Sequence, residues 1–202
     1  MNLSRFKYAT HRRNNKRLEV LLEHRQSGRL LDVGCGDCEF MLQASEYFES
    51  TGIDNISSAI SSSLLKSGYP IIIDDITKVD FSPESFDIVT AFNVLEHFHN
   101  PERVVSKIYQ ILNKGGIFFG SVPNNSLFLG KIHTALSNLG DRTHVSTFKT
   151  PRWMSLFRKA GFKEFTYFGE ILIGRHSIYL KSPRWYRFIS FNLMFICWKT
   201  QG

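Results

Sequence analysis

The stretch Leu30-Leu31-Asp32-Val33-Gly34-Cys35-Gly36-Asp37 decides the fold. A short apolar run, 29–33, reads as a buried strand that ends in a Gly-x-Gly turn, and a helix over 39–48 follows. Glycine lacks a Cβ, so the chain can turn sharply there and let a ligand approach the backbone. The helix beyond it starts with free N–H groups. A dinucleotide fingerprint needs a third glycine five residues after Gly34, where this chain has Glu39. A carboxylate there opposes a pyrophosphate, so the NAD reading loses. Asp32, at the strand tip, suits the ammonium of a ligand with an amino-acid end.

Working outward, Gly52-Ile53-Asp54 places an acidic residue 20 positions beyond Gly34 at the end of a second strand, 51–54. An acid at that spacing accepts hydrogen bonds from the hydroxyls of a ribose. A third strand, 69–73, runs into Asp74-Asp75-Ile76, where a carboxylate suits an exocyclic amine. Further strands are expected at 86–92, 117–122, 162–168 and 191–199. Helices are expected at 11–25, 56–66, from Asn100-Pro101 to about 113, and from Thr150-Pro151 to Gly161. Both Pro pairs are helix-start signals. This alternation predicts an α/β protein: a Rossmann-like open sheet, mostly parallel, with an antiparallel final strand and helices on both faces. A single domain over 1–202 is expected, with an N-terminal helical segment over 1–28. Residues 123–149 and 171–190 interrupt the alternation and are expected to be substrate-side insertions.

Composition narrows the class. The chain has 202 residues, 43% of them hydrophobic and 21% charged, which is ordinary globular composition. It opens without a signal-like apolar run, and its most apolar stretch, 188–198, is too short for a span of roughly 20 residues. The expectation is a soluble, cytoplasmic protein. Cys35, Cys38 and Cys197 make no disulfide framework, and the lone C-x-x-C lacks the partners of a zinc site; no metal is expected. The net charge of +7 divides into +6 over 1–29, −7 over 30–148 and +8 over 149–202. Basic ends suggest an anionic substrate or a membrane surface, whereas no nucleic-acid-binding module is present.

The ordered motifs resemble the class I S-adenosylmethionine-dependent methyltransferases, especially the small family typified by ubiquinone and menaquinone biosynthesis enzymes. The resemblance rests on Leu31–Gly36, on Phe81-Ser82-Pro83-Glu84-Ser85-Phe86-Asp87-Ile88-Val89, and on Val94-Leu95-Glu96-His97 followed by Asn100-Pro101. It continues through 112–116, Val122-Pro123-Asn124, Asp141-x-Thr143-His144-Val145 and Lys159-Ala160-Gly161-Phe162, and covers roughly 28–168. Cys38 stands where the family often has a third glycine.

The resemblance implies S-adenosylmethionine as cofactor and a small-molecule methyl acceptor, O-methylated on an aromatic, lipid-linked or sugar-type scaffold. RNA or protein methylation and cofactor binding without catalysis are the alternatives. It implies that Gly34, Cys35 and Gly36 line the methionine end, largely through backbone, that Asp32 supports its amino group and that Asp54 holds the ribose. Asn55 lies beside the adenine, Asp75 and the Ile76 N–H serve its amine, and Asn93 faces the methionine portion. Tyr8, Arg12 or Arg13 reaches its carboxylate. His144 and His97 are the candidate bases, and His99 is read as a solvated loop residue.

Overall fold

The computed structural model describes residues 3–56, 60, 64, 68–125, 145–173, 176–181 and 190–200; the side chains of 3–9 and 172–176 lie outside that description. Four helices of more than one turn are described: α1 (Leu3–Leu22), α2 (Glu39–Ala44), α3 (Pro101–Ile111) and α4 (Thr150–Ala160). The strands are β1 (Arg29–Val33), β2 (Glu49–Asp54), β3 (Ile71–Ile73), β4 (Phe86–Phe92), β5 (Leu112–Pro123), β6 (Glu164–Ile173), β7 (His176–Leu180) and β8 (Asn192–Trp198). They form one sheet in the order β3-β2-β1-β4-β5-β8-β6-β7. Pairs from β3 to β5 are parallel, and β8 runs antiparallel to both β5 and β6.

Strand periodicity sets the layers, because successive side chains point to opposite faces. Leu31, Val89, Phe118 and Phe195 face α3 and α4, meeting Val105, Ile108, Trp153 and Phe157. Leu30, Ile88, Phe119 and Ile196 face the other way, toward Leu18 and Leu21 of α1 and Phe40 and Ala44 of α2. Helices therefore cover both faces, and the central strands are largely apolar, as a doubly covered sheet requires, with Asp32, Thr90 and Ser121 as buried polar exceptions. The Asn100 side chain accepts the Arg103 N–H at 3.1 Å and caps α3, with Pro101 in its first turn. Gly161, at φ 116°, closes α4.

At the N-terminal end of β4, Asp87 ties three elements together. Its carboxylate accepts from Arg25 at 3.0 Å, the Arg29 N–H at 2.9 Å and Asn113 at 2.9 Å. That end of the sheet is a structural buckle. The opposite end, where β1 and β4 lead off in different directions, is the topological switch point at which open α/β sheets bind ligands.

Several expected boundaries move. The helix expected at 39–48 stops at Ala44. The one expected to reach 113 stops at Ile111, because Leu112 already pairs with Phe86 and residues 113–116 bulge before Ile117 rejoins Ile88. The 171–190 insertion is partly sheet: β6 continues to Ile173 and turns back as β7, pairing Ile171 with Ile178. Of the helix expected at 56–66 only positions 56, 60 and 64 are described, with Leu64 helical.

Candidate functional site

The C-terminal ends of β1, β2 and β4 open into a cleft of about 560 Å³, within the range of ligand pockets. Its floor is the Gly34–Gly36 turn. Gly34 has φ 68°, and a Cβ there would sit 2.3 Å from Val94 Cγ2, so only glycine lets the post-β4 loop close over the turn. Gly36 has φ 54°, and a Cβ there would meet no atom within 4 Å; it faces the open cleft. Cys38, in the third-glycine position, keeps the left-handed conformation at φ 61° despite its side chain.

Asp54 builds the turn as well as the rim. Its two carboxylate oxygens accept the Gly36 N–H at 2.9 Å and the Ile56 N–H at 2.8 Å, leaving further lone pairs for a ligand. Across from it, Asp74 accepts the Asp75 N–H at 2.7 Å and Asp75 accepts the Thr77 N–H at 2.8 Å, which fixes a tight acidic turn above Ile76. Asn55, Asp75, Ile76 and Asn93 all line the cleft. So does Ile56, an exposed apolar side chain at the first position of the helix expected over 56–66.

Asp32 lies beneath the cleft rather than on its wall. It is 3% exposed, and its Oδ1 accepts the Thr90 hydroxyl at 2.7 Å. Burial pushes its carboxyl up to about 7, against the pull of that hydrogen bond and of the Arg17 charge. Arg17 is itself buried, with its guanidinium 4.1 Å from the centre of the Phe92 ring and a 3.1 Å bond to Asn14. Nothing in the sequence distinguished Arg17 from the other basic residues of α1.

The side chain of Cys35 is not part of the cleft wall. Its N–H donates to the Ile53 carbonyl at 3.2 Å, and its thiol is buried 3.4 Å from Cys38 Sγ, so it turns away from the cleft into a small core with Met41 and Ile60. Arg13 is likewise committed elsewhere, in a bidentate pair with Glu170. Arg12 is exposed on α1, and the Tyr8 side chain lies outside the described residues.

His97 is exposed and lines the cleft beside Val94 and Phe98, in the 3₁₀ turn Leu95–His97. His99 is exposed. His144 and Asp141 lie outside the described residues, but their neighbours are placed. The Val145 and Ser146 N–H groups both donate to the Glu96 carbonyl, at 3.0 and 2.9 Å, and Ser146 Oγ donates to the Phe98 carbonyl at 2.7 Å. The chain returning from the post-β5 segment is thereby pinned to the turn that carries His97. Among the described residues no group of His, Cys, Asp and Glu gathers in a metal-binding arrangement, and no helix is long and apolar enough to cross a membrane.

Comparison with known proteins agrees with this geometry. Residues 6–165 match a family model described as a methyltransferase domain. The chain is 34% identical over 107 residues to the ubiquinone biosynthesis O-methyltransferase of Saccharophagus degradans, covering 48% of this chain and 44% of that protein. The chain spans about half the length of the curated relatives it matches. Among solved structures, a SAM-dependent methyltransferase of Thermotoga maritima superposes with a TM-score of 0.76 at 19% identity, over 96% of this chain and 94% of that one. Phosphoethanolamine N-methyltransferase 2 of Haemonchus contortus, solved with S-adenosyl-L-methionine, gives a TM-score of 0.62 at 20% identity, over 76% of this chain and 38% of that one. These likenesses establish the Rossmann-like methyltransferase fold.

Proposed function

This chain belongs to the methyltransferase-domain family, and we propose that its cleft holds S-adenosylmethionine and that it methylates a hydroxyl of a small aromatic, lipid-linked or sugar-type acceptor. The observation that carries the reading is the pairing of Asp32 with Asp54. One is a carboxylate buried just beneath the cleft floor, without a salt-bridge partner among the described residues; the other is a carboxylate at the rim with lone pairs to spare. A ligand with an ammonium at one end and a ribose in the middle satisfies both.

The remaining residues fit the same ligand. Gly36 leaves room for the methionine end, Ile56 and Ile76 supply apolar surface for an adenine, and Asp75 supplies an acceptor for its amine. The cofactor, when bound, supplies a methyl group already activated on a sulfonium. The protein then has to align the acceptor, exclude water and receive a proton. Alignment supplies much of the acceleration. His97 at the cleft rim and His144, one residue before the pinned Val145, are the proposed proton acceptors. A positioned base contributes about 10²–10⁴-fold.

The same reading extends to organisation and partners. We take 1–202 as one methyltransferase unit acting in the cytoplasm, on an acceptor whose negative charge, or membrane surface, suits the basic ends of the chain. Titration calorimetry with S-adenosylhomocysteine and with NAD tests the cofactor assignment. Saturable binding of the first alone is expected, and binding of NAD, or of neither, overturns it.

A further inference from the structure

The sheet register brings together four polar residues that are far apart in sequence. Asn192, the first residue of β8, pairs with Pro123 of β5 on one side and with Glu170 of β6 on the other. Ser121 of β5 pairs with Phe92, the last residue of β4, and Asn93 follows it into the cleft wall.

Their side chains form one directed chain of hydrogen bonds. Glu170 is fully buried. One carboxylate oxygen accepts Arg13 Nε at 2.9 Å and Ser177 Oγ at 3.2 Å; the other accepts the Arg13 Nη2 and, at 2.9 Å, Asn192 Nδ2. Asn192 Oδ1 accepts Asn93 Nδ2 at 3.2 Å, and Asn93 Oδ1 accepts Ser121 Oγ at 2.7 Å.

The direction of this chain is not free. An amide can flip, but an ionised carboxylate can only accept. It turns the Asn192 NH2 toward itself and the Asn192 oxygen toward Asn93. That oxygen in turn draws the Asn93 NH2, so the Asn93 oxygen faces Ser121. Burial alone pushes the Glu170 carboxyl up, but the hydrogen bonds and charge of Arg13, together with Arg17 and Asn192, outweigh it and hold the carboxyl at about 2. The charge that sets the polarity is thus permanent at any physiological pH.

A buried ion pair is often no better than well-packed apolar residues of the same volume, and its attested use is to fix one arrangement among several. Here the arrangement that it fixes includes Asn93, a residue of the cleft wall held at φ 57°.

We propose that Glu170 is a positioning residue for the cofactor cleft: through Asn192 it sets which way the Asn93 amide presents its donor and acceptor, and Arg13 of α1 keeps it in place. The proposal rests on the reading of the cleft as the S-adenosylmethionine site.

The test is a double-mutant cycle on S-adenosylhomocysteine affinity, with melting temperature recorded for each variant. Glu170→Gln keeps the shape but allows the chain to run in either direction. Asn192→Ala cuts the chain and leaves the Arg13–Glu170 pair intact. Asn93→Gly removes the terminal amide and tolerates the left-handed backbone. Each of the first two is expected to weaken binding by about 5-fold or more in the wild-type background and by less than about 2-fold when Asn93→Gly is already present, as for residues coupled in one network. A loss of melting temperature alone would not produce that difference between backgrounds. Equal effects in both backgrounds, or no effect in the wild type, overturn the proposal, and Asn192→Ala decides the matter if Glu170→Gln does not fold. A wild-type chain that fails to bind S-adenosylhomocysteine overturns both this proposal and the cofactor assignment.

Discussion

Asp32→Asn should make the empty protein more stable and the loaded one less so, and pH separates the two effects. The Asp32 carboxyl titrates at about 7 in the fold against an ordinary 3.8, because burial disfavours its charge. Between about pH 4 and 7 the folded protein therefore keeps a proton that the unfolded chain has released. By linkage, this group's contribution to stability is complete below about pH 4, is lost as pH rises to about 7, and is level above that. The gap from 3.8 to about 7 corresponds to about 4 kcal/mol, at about 1.4 kcal/mol per pH unit.

Asparagine has no proton to lose and still accepts the Thr90 hydroxyl. The stability gap between Asp32→Asn and wild type should therefore widen in the variant's favour by up to about 4 kcal/mol from pH 4 to pH 8. For a chain of this size that is a widening of roughly 8–16 °C in melting temperature. The ligand's ammonium, by contrast, loses its charged partner, so S-adenosylhomocysteine affinity at pH 8 should fall roughly 10- to 150-fold. Wild-type affinity itself should strengthen from pH 6 to pH 8 as Asp32 ionises. Thermal melts of the unliganded proteins across the pH range, with calorimetry at the two ends, make the measurement. A melting gap that does not change with pH would show that Asp32 ionises like an exposed aspartate, and unchanged affinity would remove it from the site.

Two further outcomes follow from the turn. Gly34→Ala forces a Cβ into a left-handed residue 2.3 Å from Val94 Cγ2; urea unfolding should show a loss of about 2–4 kcal/mol, of which Val94→Ala restores the steric part only, and a fully stable Gly34→Ala would refute the turn geometry. Asp54→Ala releases the Gly36 and Ile56 N–H groups along with the proposed ribose contact; S-adenosylhomocysteine binding should weaken by about 1–3 kcal/mol, and unaltered binding would exclude Asp54 from the cofactor site.

The sequence by itself determined the part of the molecule that is local. Strand β1, the glycine turn and the acidic ends of β2 and β3 are each written in a few consecutive residues, because backbone sterics, strand periodicity and capping act over short spans. Seven of the expected cofactor residues, Gly34, Gly36, Asp54, Asn55, Asp75, Ile76 and Asn93, indeed line one cleft. The exceptions show where local reading ends. Whether the Cys35 side chain faces a ligand or a core depends on what packs behind it, here Met41 and Ile60. Arg13 was one of three candidates on α1, with Tyr8 and Arg12, until β6 supplied Glu170 as its partner. The β6–β7 hairpin looked like an insertion although Gly174, first of the two residues between Ile173 and its partner His176, is a hairpin-turn signal in the sequence. Only the tertiary structure could join Glu170, Asn192, Asn93 and Ser121. Hydrogen bonds between residues 22, 99 and 28 positions apart depend on strand order and register, and those are settled by burying apolar faces across the whole sheet, not by the polar residues themselves.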